Sequence, residues 1–484
     1  MRKYFKTNHK RMTAMVMAGV MTCTLPLAGC SNAKEPVGTT APDTVAPTTP
    51  DVTVPTPEGT VAAVIEGERI GDEATAIINS GKDEPREMVD HSLMKMDGAY
   101  DAAPAAYGAG SDSAPGSVVP APVEGEDRKI SDDQIGVLTA GRWNDNANWG
   151  FFRNLASTGK IAFPAYGLDP VSRSAVTVKN ESGAAVEGLK VEAVYSDDNS
   201  VIWSGVSNKE GTAYLFLPTS ADRTWKVRIY DAAGNVVYTG AEDYALPGKT
   251  EDGVPDSQSR TSAYPEEVAL TVDTESKNYT NTQVMFILDT TGSMGDELTY
   301  LQADFGKIME RVTAPGVSYS WNFYRDEGDE YVTRTNGFET DVNVLKKLLY
   351  NESARGGGDT PEAVAEILTE TMNSTEWKAD SKKIAFLIFD APPHDEKAAV
   401  VAAAVAKAAE QGIRVVPIVA SNADRETELF GRALAIMTDG EYVFLTDDSG
   451  VGDSHLEPII GDYEVQKLGD IIVDIINEFA VKAE

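Results

Sequence analysis

Asp289, Thr291 and Ser293 set three oxygen-bearing side chains at alternate positions of one short stretch, Asp289-Thr290-Thr291-Gly292-Ser293-Met294-Gly295. A carboxylate and two hydroxyls at that spacing suit a hard divalent cation such as Mg²⁺, Ca²⁺ or Mn²⁺. The stretch follows the apolar run Val284-Met285-Phe286-Ile287-Leu288 directly, so a buried strand would deliver the oxygens to one point at its end. For Asp289 and Ser293 alone, the plainer reading is a helix N-cap with a turn glycine.

Two further segments also end in oxygen side chains. Gly356-Gly357-Gly358-Asp359-Thr360-Pro361-Glu362 reads as a tight turn opening a helix. Its glycines permit unusual backbone angles, and Pro361 suits a first helical position. Lys383-Ile384-Ala385-Phe386-Leu387-Ile388-Phe389 is a second apolar run, and it closes on Asp390.

Together these segments resemble the metal-ion-dependent adhesion site of von Willebrand factor type A domains, whose first loop reads Asp-x-Ser-x-Ser. Thr291 replaces the first serine here and keeps the hydroxyl. The resemblance covers roughly Thr280 to Glu484. It implies metal ligands at Asp289, Thr291, Ser293, Thr360 and Asp390, with Asp359 as the competing middle-loop ligand. It also implies one divalent cation, Mg²⁺ foremost and Mn²⁺ or Ca²⁺ as alternatives. A protein partner offering an acidic side chain would complete its coordination. A cation held by two carboxylates, hydroxyls and water keeps an exchangeable water that an incoming carboxylate can replace.

Positioning such a site needs a rigid frame, and the last two hundred residues supply the pattern for one. Leu298, Leu301, Phe305, Ile308, Met309 and Val312 fall on one helical face. Val415 to Val419 and Tyr442 to Leu445 read as strands, and Val465, Leu468, Ile472, Ile475, Ile476 and Phe479 line a closing helix. Alternation of this kind predicts an α/β doubly wound, mostly parallel sheet over 280–484. Asp289 and Asp390 would then stand at carboxyl ends of strands, where open α/β sheets bind ligands.

Upstream, residues 171–248 change to period two, as in Trp225-Lys226-Val227-Arg228-Ile229-Tyr230, with turns between the runs. This predicts an antiparallel β-sandwich. Val176 to Pro218 resembles a carboxypeptidase regulatory-like or collagen-adhesin B-type module, which implies a spacer. Residues 249–279 read as a linker. Residues 128–170 carry Trp143, Trp149, Phe151 and Phe152, too many rings for a linker, and are expected to pack on a neighbouring module. Residues 30–127 read as a largely disordered stalk: 14 of the 26 residues from Glu35 to Thr60 are Pro or Thr, a composition that cannot bury a core.

The first residues carry an address. Arg2, Lys3, Lys6, Lys10 and Arg11 precede the apolar stretch Met12 to Leu27, which predicts a signal peptide over 1–29. Leu27-Ala28-Gly29-Cys30 resembles a bacterial lipobox, implying lipidation of Cys30 and a place in the cell envelope, extracellular or periplasmic. No later run is apolar for eighteen residues, so membrane attachment is expected through the lipid anchor only. Cys23 and Cys30 are the sole cysteines, and cleavage removes the first, which excludes a disulfide. The four histidines are too scattered for a zinc cluster.

With 42 basic against 76 acidic residues the chain carries −34, which argues against nucleic acid as a partner. Signals for enzymes are missing. A hydrolase elbow needs glycine where Thr291 stands, a phosphatase needs aspartate there, and no phosphate-cradling Gly-Lys-Ser/Thr loop occurs. The sequence therefore reads as a non-enzymatic, lipid-anchored surface protein with a metal-dependent adhesion domain. The alternative is an envelope scaffold or sensor assembling with a partner in the same membrane; a metal-dependent hydrolase ranks last.

Overall fold

The computed structural model describes residues 138–220, 223–248, 264–358, 360–449 and 454–482. The readings of the leader, Cys30, the stalk and Asp359 lie outside the described residues.

The aromatic-rich segment forms β1 (Thr139–Trp143) and α1 (Trp149–Ser157). A run of short strands follows: β2 (Arg173–Asn180), β3 (Lys190–Tyr195), β4 (Val201–Val206), β5 (Thr212–Phe216), β6 (Thr224–Tyr230), β7 (Val236–Thr239), β8 (Tyr244–Ala245) and β9 (Glu267–Val272). They make two small sheets, ordered β5-β2-β9 and β4-β3-β6-β7 with β8 beside β6. Alternate side chains of both sheets, among them Val176, Val191, Leu215, Trp225 and Val227, meet in one apolar cluster. The strand pairs within residues 171–248 are all antiparallel, as expected, and it is the linker reading of 249–279 that β9 corrects. This strand lies inside the stretch read as a linker, and it pairs parallel with β2. Its alternation is the reason: Val268 and Val272 turn inward while Glu267, Ala269 and Thr271 face solvent. The whole second sheet serves as the long crossover that a parallel pair requires.

The chain then alternates strand and helix. In order come β10 (Asn281–Asp289), α2 (Gly295–Glu310), β11 (Val317–Tyr324), β12 (Thr333–Arg334), α3 (Val342–Tyr350), α4 (Val364–Met372) and β13 (Ser381–Phe389). After these come α5 (Ala398–Gln411), β14 (Ile413–Val419), α6 (Arg425–Met437), β15 (Tyr442–Thr446), β16 (Gln466–Lys467) and α7 (Leu468–Phe479). The large sheet has the order β12-β11-β10-β13-β14-β15-β1-β16, with β11, β10, β13, β14 and β15 mutually parallel. Val284, Phe286 and Leu288 of β10 pack toward α2, α3 and α7, while Met285 and Ile287 pack toward α4, α5 and α6. Burial on both faces explains the unbroken apolar runs of the central strands.

Two local expectations change. Pro361 is not the first residue of a helix, because α4 begins at Val364. The backbone of Glu362 is engaged instead in a bridge to Pro393, with its N–H donating to the Pro392 carbonyl, and this delays the helix. Val465 is exposed and precedes α7, since β16 intervenes.

The aromatic-rich segment does more than pack on a neighbour. β1 pairs antiparallel with β15 and with β16, so it is part of the large sheet. A fragment starting at Thr280 loses this strand and exposes the β15 edge. We expect residues 280–484 alone to aggregate or melt at least about 10 °C below residues 138–484, given about 2–4 °C per kcal/mol for chains of this size. Thermal melting by circular dichroism checks this, and equal melting temperatures would mean that β1 is dispensable.

Candidate functional site

Among the five parallel strands the chain starts at β10, places β11 on one side and then crosses to β13 on the other. The crevice where that order reverses lies between the carboxyl ends of β10 and β13. Asp289 is the last residue of β10, and Asp390 directly follows β13. The fold therefore brings to one crevice two carboxylates that lie about a hundred residues apart in sequence.

Local geometry gathers the hydroxyls there too. Asp289 Oδ1 accepts hydrogen bonds from the Thr291 backbone N–H and hydroxyl, each at 2.8 Å. Thr291 Oγ1 lies 3.3 Å from Ser293 Oγ, and the Ser293 hydroxyl in turn supports the Asp390 carboxylate. Asp289 and Thr291 are buried, whereas Ser293 is exposed at the mouth. Neither Asp289 nor Ser293 caps a helix with its side chain: the short helical turn at Gly292–Met294 and α2 both begin without a side-chain cap.

The electrostatics of this pair are unfavourable as they stand. Asp289 Oδ2, Asp390 Oδ1 and the Tyr324 hydroxyl are buried and none makes a well-formed hydrogen bond, although Tyr324 lies close enough to Asp289 to lower its pKa. Burial raises the pKa of Asp289, the Asp390 charge raises it further, and the bonds from Thr291 together with the nearby Tyr324 hydroxyl offset only part of this. Burial likewise raises the pKa of Asp390, against the support of Ser293. Two desolvated carboxylates with orphaned oxygens are costly unless a cation or a proton joins them. The donor set of two carboxylates and two hydroxyls fits a hard divalent cation. Among the described residues no three His, Cys, Asp or Glu side chains are arranged to hold a metal, so hydroxyls and water would have to complete the shell.

The glycine turn is stitched against this loop. Gly292 N–H donates to the Gly356 carbonyl at 3.1 Å, and Arg355 N–H to the Thr290 carbonyl at 3.0 Å. Asp329 Oδ2 accepts from Gly357 N–H at 2.9 Å and from Asp326 N–H at 3.1 Å. Glycine is required at 356, where φ is +82° and a Cβ would sit 2.3 Å from the Asp329 carboxylate. Thr360 stands exposed on this turn, and no hydrogen bond among the described residues ties its side chain to the cluster.

The turn buries Glu362 instead, a residue that the sequence reading passed over as part of a helix start. Glu362 is 3% exposed, and its Oε2 is orphaned. A Cβ at Gly357 would touch both its Oε1 and the Thr291 side chain, which locates the carboxylate beside the hydroxyl cluster. Its pKa is pushed up to about 9, by burial first and then by the charges of Asp289, Asp326, Asp390 and Asp329. The available signal was a carboxylate directly after Thr-Pro in a glycine turn.

A second polar chain runs alongside. Glu297 Oε1 accepts from the Ser421 N–H and hydroxyl, Ser421 Oγ lies 3.1 Å from His455 Nε2, and His455 Nδ1 lies 2.8 Å from Asp447 Oδ1. The order serine, histidine, aspartate is that of a hydrolytic triad. Ser421 is only 3% exposed and its hydroxyl is already held by Glu297, so the chain braces the loop after β14 rather than presenting a nucleophile.

A family model described as the von Willebrand factor A domain matches residues 283–452. Among curated proteins, an ariadne-like RING finger protein, R811, of Acanthamoeba polyphaga mimivirus is 30% identical over 110 residues. That match covers 22% of this chain, and the chain spans only 11% of that relative. Among solved structures, the conserved hypothetical protein BatB from Bacteroides thetaiotaomicron aligns over 41% of this chain and 98% of its own length, at 18% identity and a TM-score of 0.31.

Proposed function

From the premise that residues 283–452 form a von Willebrand factor A domain, we propose that this protein binds a protein partner through one divalent cation. Domains of this kind serve interaction or adhesion. Asp289, Thr291, Ser293 and Asp390 would hold the cation, Mg²⁺ foremost, with Thr360 or Asp359 reaching it from the glycine turn. Bound there, the cation would supply a Lewis-acidic position for an acidic side chain of the partner. The observation that carries this reading is the pair of orphaned, buried oxygens, Asp289 Oδ2 and Asp390 Oδ1, beside two hydroxyls at the sheet crevice. Glu362 would brace the Thr291 side of the site.

The setting we propose is the outer face of a bacterial membrane, with Cys30 lipidated and the two small sheets forming a β-sandwich spacer below the binding domain. No helix among the described residues is long and apolar enough to cross a membrane. The reading is of a binding protein, not an enzyme, and nucleic acid does not suit its charge of −34.

Capture from cell envelopes and from host matrix, on the full chain, tests both halves. A partner should be retained with Mg²⁺ and released by chelator, and fatty-acid labelling should be lost in Cys30→Ala. Retention that ignores chelator would refute the metal-dependent mode, while persistent labelling of Cys30→Ala would refute the anchor. A partner found only in the membrane carrying the protein would favour the scaffold role over adhesion.

A further inference from the structure

The opposite end of the large sheet carries a second concave site. A cleft of about 620 Å³ opens between the two small sheets and the amino ends of β13 and β14, lined among others by Lys190, Lys277, Ser381, Lys383 and Arg414. Asn281 pairs with Ser381 across β10 and β13, and Asp289 lies eight residues further along β10. At about 3.3 Å per residue the cleft is about 26 Å from the metal-site carboxylates, so it is a separate place.

Its charge runs against that of the chain. Six cationic and four acidic side chains line it, in a protein carrying −34. Most of the lining carboxylates are already used. Glu187 pairs with Lys382 at 2.7 Å, Glu410 with Lys190 at 3.0 Å, and Asp439 with Arg414 at 2.5 Å. Asp231 is spent on its own turn, accepting from Ala233 and Asn235. The first two of these pairs cross from the small-sheet region to β13 and α5, whereas Asp439 and Arg414 pair within the large-sheet part.

Lys277 and Lys383 are left over, with Asp380 near enough to Lys277 to act on its charge but not paired with it. Neither forms an ion pair among the described residues. The Lys383 ammonium is buried and has one hydrogen bond, to the Gln411 carbonyl at 3.1 Å. Lys277 lies over the Tyr279 ring, 5.2 Å from its centroid. Between them on the chain stands Ser381, a lining residue that is 2% exposed and whose hydroxyl has no hydrogen-bond partner. A buried ammonium without a counter-charge and a buried orphaned hydroxyl are both costly. The cost is visible in Lys383, whose pKa is pushed down to about 8 by burial and then by the charges of Lys277 and Lys407. An anion would relieve all three groups at once. Tyr214, Tyr279 and Trp377 also belong to the lining. The volume falls in the ordinary range for small-molecule sites, about 300–1,000 Å³.

We propose that this cleft binds a small organic anion, a carboxylate or phosphate on a ring-sized body, with Lys277, Lys383 and Ser381 as its anion-holding groups. A purely structural role for the lysines makes the opposite prediction, because Lys383 then merely ties β13 to the α5 carboxyl end.

The test uses the full chain, with galacturonate as a ring carboxylate, inorganic phosphate as the free anion and galactose as the neutral control. At least one anion should bind by calorimetry with Kd of about 1 mM or tighter and raise the melting temperature, and galactose should do neither. Galacturonate alone, phosphate alone or both support the site and identify the preferred group. Lys383→Met should weaken anion binding by about tenfold or more, charge-assisted contacts being the strong ones, while raising the melting temperature without ligand. Lys277→Met, at a less buried position, should weaken binding similarly with little change in folding, and serves if Lys383→Met fails to fold. Mg²⁺ binding should be unchanged in both variants, and anion binding should survive in Asp289→Ala, so this site and the metal site fail independently. No binding of either anion at about 10 mM, or equal binding by wild type and Lys277→Met, overturns the proposal.

Discussion

Asp289→Asn should abolish cation binding while making the metal-free protein more stable. The substitution keeps the Oδ1 that accepts from the Thr291 N–H and hydroxyl. It replaces the orphaned Oδ2 with an uncharged amide, which no longer feels the Asp390 charge. One charge of a facing, buried pair is removed, and with it most of the attraction for a divalent ion. Calorimetry with Mg²⁺ on the full chain should show affinity reduced by at least about 100-fold, roughly 2.7 kcal/mol. The pH dependence fixes the sign of the stability change. Both carboxylates have pKa values raised in the folded state, so that state holds protons which the unfolded chain has released. Their contribution is therefore fully present at acid pH and is lost as pH rises from about 4 toward neutrality. Metal-free wild type should lose stability over that interval, Asp289→Asn should lose less, and saturating Mg²⁺ should remove the loss from wild type alone. At a hundred times Kd the cation adds about 2.7 kcal/mol, which a melting curve resolves. Unchanged Mg²⁺ binding in Asp289→Asn would move the cation away from this crevice.

The central strands and the two aspartates were legible in sequence for one reason. β10 and β13 are covered on both faces, so each reads as an apolar run ending abruptly in a carboxylate. Other parts of the frame depend on partners remote in the chain. β1 is five residues long, and its pairing with β15 joins Thr139 to Thr446, which no local pattern reveals. β9 is only six residues long, and its alternation becomes meaningful only once β2 is beside it. The glycine turn was read from composition as a helix opening. Its conformation comes instead from tertiary hydrogen bonds, Asp329 to Gly357 and Gly292 to Gly356, and these turn Glu362 inward. The polar chain from Glu297 to Asp447 likewise joins the start of α2 to the segments after β14 and β15, and its serine carries no sequence signal at all.

The largest effect on stability should come from a residue remote from either ligand site, Asp145. Arg432 is fully buried in α6, and its Nε and Nη2 donate to the two Asp145 oxygens at 2.9 and 2.8 Å. Its Nη1 donates to the Ile459 carbonyl at 2.8 Å and to Glu428 at 3.3 Å. Asp145 also accepts from the Trp143 indole, so one carboxylate joins β1 to the helix that covers the sheet. Asp145→Ala leaves the guanidinium buried with a single, longer carboxylate contact. Breaking a buried pair on one side costs about 3–5 kcal/mol, because the remaining charge is stranded. Urea denaturation of residues 138–484 should show that loss as a lower midpoint. Asp145→Leu combined with Arg432→Met should recover most of it, since an apolar replacement of the whole pair leaves no stranded charge. Mg²⁺ affinity should stay within about twofold in both variants at temperatures where they remain folded, because the ligands ride on β10 and β13. A loss below about 1 kcal/mol in Asp145→Ala would mean that water reaches Arg432 and that the aromatic segment is held mainly by its rings.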